Sequence, residues 1–167
     1  MRVQEELERK FLVRRVPQYM QEFYVDTELI TQNYIYVDLE AEIRIREEIL
    51  LSSGDTRYYE IKKLGNGAKR KEFITEITRE IAEPFLLNSY YAISKQRDVY
   101  FYDGKFISVD FYDEELIPEG LIVAEIEFPT EGEMVLFRPY DWFIKEVTDD
   151  ERFRDKNIWR AINKVEI

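Results

Sequence analysis

Charged and apolar side chains alternate along several short segments of this chain, and the charged positions carry both signs. In one of them, Glu42, Arg44 and Arg46 alternate with Ile43 and Ile45. Because residues two apart in a β-strand share one face, such segments predict strands with one charged and one apolar face. An ordinary sheet with its charged face in water has this pattern. About eight such strands can also close into a barrel whose charged face lines the interior, with the apolar face covered from outside.

Turn residues divide the alternating segments into eight predicted strands. These are Arg2–Leu12, Gln32–Asp38, Ala41–Leu51, Thr56–Leu64, Lys69–Ile77, Ser94–Tyr102, Lys105–Asp113 and Gly120–Phe128. Four connections have turn chemistry: Ser53-Gly54-Asp55, Gly65-Asn66-Gly67, Asp103-Gly104 and Pro118-Glu119-Gly120. Asp103-Gly104 is the strongest hairpin signal, because this dipeptide suits the left-handed backbone of a two-residue turn.

Helices are predicted in the remaining segments. One begins after Thr78 and runs to about Asn88, one begins at the capping box Thr130 and Glu133, and one spans Asp155–Asn163. The last has an apolar face formed by Ile158, Trp159 and Ile162. We therefore expect a single domain over residues 1–167, of the α+β class but mainly β.

The chain contains neither histidine nor cysteine, and this excludes several kinds of active site. Zinc sites of the usual kind, cysteine nucleophiles and Ser-His-Asp triads all need one of these residues. A metal would have to bind oxygen ligands, which selects Mg²⁺, Mn²⁺ or Ca²⁺. Proton transfer would have to use a carboxylate, a lysine, a tyrosine or a water on a metal. The net charge of −11 argues against general binding to nucleic acid or to anionic membranes.

The sequence also bears on location. No apolar run approaches the roughly 18 residues of a transmembrane helix, and the N-terminal segment has no signal-peptide pattern. The absence of cysteine is compatible with a reducing compartment. We expect a cytoplasmic protein without membrane or nucleic-acid partners, and a homodimer through an outer strand or helix face is compatible with this fold class.

Glu6, Glu8 and Lys10 form an ExExK sequence in the first predicted strand, followed by Phe11-Leu12-Val13. This segment resembles the N-terminal signature of the CYTH superfamily, the triphosphate tunnel metalloenzymes. Further similarities follow in order along nearly the whole chain: Glu42-Ile43-Arg44-Ile45-Arg46, Glu60-Ile61-Lys62, Arg70-Lys71-Glu72-Phe73, Lys95-Gln96-Arg97, Asp110, Glu125-Ile126-Glu127-Phe128, Glu146-Val147-Thr148, Arg152-Phe153 and Lys156. Two places depart from the family pattern. Glu72-Phe73-Ile74 stands where E-Y-E is frequent, and Asp155 stands where Asn is frequent.

The resemblance implies a closed eight-stranded antiparallel barrel, a tunnel with a charged interior and helices packed outside. It implies phosphate binding by a basic set that can neutralise a triphosphate: Lys10, Arg44, Arg46, Lys62, Lys95, Arg97, Arg152 and Lys156. It implies an acidic set that would bind Mg²⁺ or Mn²⁺: Glu6, Glu8, Asp110, Glu125 and Glu127. For turnover, we expect a water assisted by Glu8 or a neighbouring carboxylate to attack the terminal phosphorus, while Lys95 assists the departing phosphate.

Three functions remain open at this point. The first is a metal-dependent triphosphatase acting on inorganic tripolyphosphate, with thiamine triphosphate as a variant substrate. The second is a class IV type adenylate cyclase, for which the sequence identifies no adenine pocket. The third is a polyphosphate-binding module without catalysis. The ExExK sequence and the acidic pair Glu125 and Glu127 are both present, and this favours catalysis.

Overall fold

The computed structural model describes residues 1–65, 68–88 and 90–166. Within these residues, nine antiparallel strands form one sheet. The strands are β1 (Arg2–Val13), β2 (Tyr24–Val37), β3 (Ala41–Leu50), β4 (Thr56–Leu64), β5 (Lys69–Ile77), β6 (Ile93–Tyr102), β7 (Lys105–Tyr112), β8 (Ile122–Glu127) and β9 (Phe143–Glu146).

The sheet closes on itself through β1. Strands β5, β4, β3, β2, β6, β7 and β8 follow one another around the ring, and β1 pairs with both ends of this row. Residues 2–7 of β1 pair with β5, and residues 8–12 pair with β8. The result is a closed eight-stranded antiparallel barrel, which confirms the predicted fold. β9 is an additional strand beside the end of β1, where Phe11 pairs with Glu146.

The predicted strand bounds agree closely with β1 and with β3 to β8. β2 begins at Tyr24 rather than at Gln32. Its first half was missed because the apolar Leu29 is exposed whereas the polar Thr27 is buried, so polarity does not follow burial there. β9 was not predicted, because its four residues are too few for a period of two to be recognised.

Three α-helices and two short 3₁₀ segments complete the described part of the chain. They are α1 (Arg79–Leu86), α2 (Glu131–Leu136), α3 (Asp155–Asn163) and the 3₁₀ segments Gln18–Phe23 and Glu151–Phe153. The hydroxyls of Thr78 and Thr130 accept hydrogen bonds from the third residue of the helices that they cap, as predicted. α1 packs against β2, β3 and β4. No helix in the described ranges is long and apolar enough to cross a membrane.

The turn between β6 and β7 has the predicted backbone. Asp103 and Gly104 have φ angles of 54° and 70°, both in the left-handed region that this dipeptide tolerates. The predicted turn at Gly65-Asn66-Gly67 lies partly outside the described residues, which omit positions 66 and 67.

Apolar side chains on the outside of the barrel form the main core. Outward-facing residues of β1, β7 and β8 pack there against α2, β9 and the 3₁₀ segment at 18–23. Phe11 is fully buried and stacks on Phe143, with 4.5 Å between the ring centroids. Because this layer removes the apolar strand faces from water, the charged faces can remain inside the ring.

α3 lies across one end of the barrel, beside the turn between β2 and β3. The Nζ atom of Lys156 donates to the carbonyl oxygens of Asp38 and Leu39 in that turn, at 3.0 and 3.2 Å. The ring of Trp159 packs against Tyr34 of β2, with 5.3 Å between centroids. α3 therefore brings its first residues against the interior of the barrel.

Replacement of Phe11 by Ala is expected to lower the free energy of unfolding by about 3–5 kcal/mol, because it leaves a cavity in the packed outer layer. The matched control is Phe106→Ala, since the side chain of Phe106 is 57% exposed. Urea unfolding of both variants checks this prediction. Equal losses in the two variants would contradict the assignment of the core to the outside of β1.

Candidate functional site

The barrel encloses a cavity of about 820 Å³ that is lined mainly by charged side chains. Its basic residues are Arg2, Lys10, Arg44, Arg46, Arg57, Lys63, Arg70 and Arg97. Its acidic residues are Glu6, Glu8, Glu42, Glu48, Glu72, Glu76, Glu125, Glu127 and Asp155. The charged faces of the strands thus point inwards, which resolves the two sheet arrangements left open by the sequence pattern in favour of the barrel.

Arginines of β3 form the centre of the basic wall. Arg46 donates from Nε to Gln32 at 3.0 Å, which fixes the plane of its guanidinium. Arg44 donates to the Tyr34 hydroxyl at 3.3 Å. Its Nε atom is buried, yet it has no hydrogen-bond partner. A buried donor without a partner is energetically costly, and it is suited to an anionic ligand.

Asp110 and its two cationic partners lie deeper in the wall. Arg97 donates to Asp110 from Nε and Nη2, at 2.7 and 2.8 Å, and Lys95 donates to it at 2.7 Å. The side chains of Lys95 and Asp110 are 0% exposed. Burial opposes the ionised form of Asp110, but Arg97 and Lys95 outweigh it and hold the pKa of this carboxyl far below its usual value.

This arrangement corrects two sequence-based expectations. Asp110 was expected to bind metal, yet both of its carboxylate oxygens accept hydrogen bonds from cations. Lys95 was expected to reach the departing phosphate, yet it bonds to Asp110 and Asp155 and does not line the cavity. Arg97 does line the cavity and also approaches Glu125 at 3.3 Å.

The lysine that β4 contributes to the cavity is Lys63, not Lys62. Lys63 pairs with Glu42 across β3 and lies 2.8 Å from a carboxylate oxygen of Glu6. Lys62 is exposed and pairs with Ile43 on the outer face. The prediction for Lys62 was wrong because the inward face of β4 carries both the apolar Ile61 and the charged Lys63. Charge therefore does not mark the inward face of this strand.

The two C-terminal cations that were expected to bind phosphate lie outside the tunnel. The side chain of Arg152 is 76% exposed and pairs with Asp150 at 2.7 Å. Lys156 is buried, but its ammonium group is directed to the carbonyl oxygens of the β2–β3 turn. Both positions follow strand β9, and the direction in which α3 leaves that strand could not be derived from strand periodicity.

Four carboxylates of β1 and β8 form the acidic side of the cavity. Glu8 pairs with Glu127 and Lys10 pairs with Glu125 in the register of these strands. Burial first, and then the charges of Glu125 and Glu6, raise the pKa of Glu8 well above its usual value. Burial first, and then the charges of Glu6 and Glu125, also raise the pKa of Glu127.

The other two carboxylates are paired with cations. Lys10 approaches Glu125 at 3.4 Å, and Lys10 and Arg97 outweigh burial to keep the pKa of Glu125 below its usual value. Lys63 and Arg70 do the same for Glu6. Within residues 1–65, 68–88 and 90–166, no group of three or more carboxylates is arranged to hold a metal ion.

Several cavity residues were not among the predicted site residues. They include Lys63, Arg70, Glu42, Glu72 and Asp155, and the charged residues Arg2, Glu48, Arg57 and Glu76 also line the cavity. The strand residues Arg70, Glu72 and Glu42 could have been found from the sequence, because they occupy inward positions of their strands. A period of two identifies such positions. Asp155 belongs to a helix, and its approach to the barrel interior depends on tertiary packing.

Two curated relatives are inorganic triphosphatases. The protein of Acetivibrio thermocellus is 33% identical over 132 residues, which cover 78% of this chain and 79% of that protein. The protein of Nitrosomonas europaea is 29% identical over 166 residues, which cover 94% of this chain and 98% of that protein. No protein-family model matches the chain.

Solved structures share the barrel. The crystal structure of the inorganic triphosphatase NE1496 has a TM-score of 0.63 at 26% identity and covers 92% of this chain and 93% of its own. A candidate adenylate cyclase from Bacillus halodurans has a TM-score of 0.56 at 14% identity, over 100% of this chain and 94% of its own, and that likeness shows the fold alone. With the ExExK strand, the charged tunnel and these relatives together, the chain belongs to the CYTH superfamily, the triphosphate tunnel metalloenzymes.

Proposed function

We propose that this chain is a divalent-metal-dependent triphosphatase whose preferred substrate is inorganic tripolyphosphate. The observation that carries the proposal is the cavity of the closed barrel, in which a basic wall on β3 and β6 faces carboxylates on β1 and β8. The names of the two curated relatives support the same activity.

Binding of the phosphate chain is assigned to four cations that line the cavity: Lys10, Arg44, Arg46 and Arg97. A triphosphate carries about four negative charges, which must be neutralised before a nucleophile approaches. The guanidinium groups of Arg44 and Arg46 lie on one strand at positions two apart, so they face the cavity together. Their planar forks suit successive phosphate groups, and the unpartnered Nε of Arg44 supplies a donor that is already desolvated.

Metal binding is assigned to Glu8, Glu125 and Glu127. Glu125 also contacts Lys10 and Arg97, but at 3.4 and 3.3 Å, whereas the cations that hold Glu6 and Asp110 lie at 2.7–2.8 Å. Because no three carboxylates of the described residues are already grouped around one point, a metal ion would have to draw these side chains together. The donor chemistry fits a hard divalent cation, since carboxylate oxygens are the ligands that Mg²⁺ and Mn²⁺ prefer. The raised pKa values of Glu8 and Glu127 reflect a repulsion that a cation would relieve. When bound, Mg²⁺ or Mn²⁺ neutralises phosphate charge and makes a water molecule a better nucleophile.

Proton removal from the attacking water is assigned to Glu8. Its carboxyl group is buried at the acidic side of the cavity, opposite the basic wall. Lys95 acts from behind the cavity wall, where it holds Asp110 and through it the guanidinium of Arg97. Arg97, which is in the cavity, is then the cation that stabilises charge on the departing phosphate.

Cyclisation of ATP would also need a pocket for adenosine. Among the described lining residues, Tyr59 is the one aromatic side chain, and the other apolar ones are Ile61, Ile74 and Met1. This wall offers no aromatic pair that would hold a base by stacking on both faces. Hydrolysis of an inorganic chain is therefore the function that the lining supports better.

Purified protein with Mg²⁺ or Mn²⁺ is expected to release phosphate from tripolyphosphate faster than from ATP or thiamine triphosphate. Treatment with a chelator is expected to abolish the release, and metal added afterwards is expected to restore it. Phosphate release and cyclic AMP are measured in the same reactions. Cyclic AMP as the main product, full activity without metal, or binding without turnover would each contradict the proposal.

Arg44→Ala is expected to raise the KM for tripolyphosphate about 10- to 100-fold, because it removes charge-assisted hydrogen bonds. Lys63→Ala tests whether Lys63, rather than Lys62, contributes to the site. It is expected to reduce kcat/KM, because it removes a cation that lines the cavity. Lys62→Ala is the matched control on the same strand, with kinetics like those of the wild type, because Lys62 is exposed on the outer face. A larger effect at Lys62 than at Lys63 would contradict the inward register of β4.

Glu8→Gln is expected to stabilise the metal-free protein at neutral pH by about 1–3 kcal/mol. Because the folded pKa of Glu8 is raised, the folded state keeps a proton that the unfolded state has already released, so stability falls as the pH rises from the unfolded pKa to the folded one. The gain should therefore be absent near pH 4 and grow towards about pH 7.5, in urea unfolding with a chelator present. Glu119→Gln, at an exposed loop position, is the control. A loss of stability in Glu8→Gln that does not change with pH would contradict this account.

A further inference from the structure

Asp155 places a carboxylate inside the barrel from a helix rather than from a strand. It is the first residue of α3 and lines the same cavity as Arg44 and Lys10. Its side chain is 8% exposed. It lies at the end of the tunnel that α3 covers, and the chemistry assigned above to the phosphate chain does not use it.

Donors from four different strands converge on this carboxylate. Oδ2 accepts from Gln32 of β2 at 2.7 Å and from Lys95 of β6 at 2.8 Å. Oδ1 accepts from the hydroxyl of Tyr112 of β7. Arg44 of β3 lies 3.6 Å from Oδ2. Two cations, an amide and a hydroxyl are the groups with which a protein binds a phosphate oxygen.

The carboxylate therefore occupies an anion-binding site that this chain has built. Lys95 is fully buried between Asp155 and Asp110, so no cavity ligand reaches its ammonium group unless Asp155 gives way. Arg44 is shared, because it faces both Asp155 and the open cavity. A phosphate group that moved towards α3 would meet a fixed negative charge and would compete with it for Arg44.

We propose that Asp155 is an internal anion that weakens phosphate binding at the α3 end of the tunnel. It thereby sets how deeply the phosphate chain enters and lets short phosphate products leave. That the bound ligand is a phosphate chain rests on the proposed function, whereas the electrostatic effect of Asp155 on an anion in the tunnel does not. If the role of Asp155 were only structural, loss of the carboxylate would disorder the site and weaken anion binding. The two roles therefore predict opposite changes in anion affinity when the carboxylate is removed.

The test is the affinity of the metal-free protein for pyrophosphate, measured by calorimetry in the presence of a chelator. Asp155→Asn removes the charge and is expected to bind pyrophosphate about tenfold more tightly than the wild type. Asp155→Glu keeps the charge on a longer side chain that reaches further into the cavity, and it is expected to bind more weakly. Asp149→Asn, the same change at an exposed position six residues earlier, is expected to match the wild type.

Circular dichroism and thermal melts establish which variants are folded. A folded Asp155→Asn variant with unchanged or weaker pyrophosphate binding would overturn the proposal. If that variant does not fold, Asp155→Glu decides, and unchanged or tighter binding would overturn it. With tripolyphosphate as substrate, Asp155→Asn is also expected to show a lower KM and stronger inhibition by pyrophosphate. Tighter pyrophosphate binding in a protein without triphosphatase activity would support this inference while refuting the proposed function.

Discussion

The site depends on the pairing of β1 with β5, because these hydrogen bonds turn an open row of strands into a ring. In an open sheet, the charged strand faces would lie in water, where ion pairs contribute little to binding or stability. Once the ring is closed, the same faces oppose one another across a narrow cavity in which charges interact more strongly. The closure also contributes contacts of its own, since Gln4 of β1 donates to Glu72 of β5 at 2.8 Å.

Ring closure brings together charges that must then be balanced. Asp110 pairs with both Lys95 and Arg97, and Asp155 and Glu125 supply the second negative charge to this group. Glu6 pairs with Lys63. A buried ion pair of this kind adds little net stability, but it fixes the orientation of its members. Other groups of the cavity are not satisfied by their neighbours. Arg44 retains an unpartnered donor, and Glu8 and Glu127 are repelled by neighbouring carboxylates. An anionic ligand with a divalent cation would satisfy both sides at once.

The period of two predicted the inward residues of β1, β3 and β8, because it specifies which residues share a face. The closed ring itself was implied by the resemblance of the ExExK strand to the CYTH superfamily, since the period alone also fits an open sheet. The prediction of inward residues failed where polarity did not follow that period. In β4, Lys62 was chosen although Ile61 and Lys63 face the cavity. The period also could not distinguish Asp110, which cations enclose, from Glu8, which lines the cavity, because that difference arises from side-chain contacts across strands. Strand periodicity could not predict Asp155, since its position in the cavity depends on how α3 packs against the barrel.

The most direct test of the account is a crystal structure of the protein with tripolyphosphate and Mn²⁺, with the metal located by its anomalous scattering. We expect the phosphate chain inside the barrel against Arg44 and Arg46, and manganese beside Glu8, Glu125 and Glu127. Tripolyphosphate bound to the outer surface of the barrel, with the cavity free of both ligand and metal in an active enzyme, would contradict it.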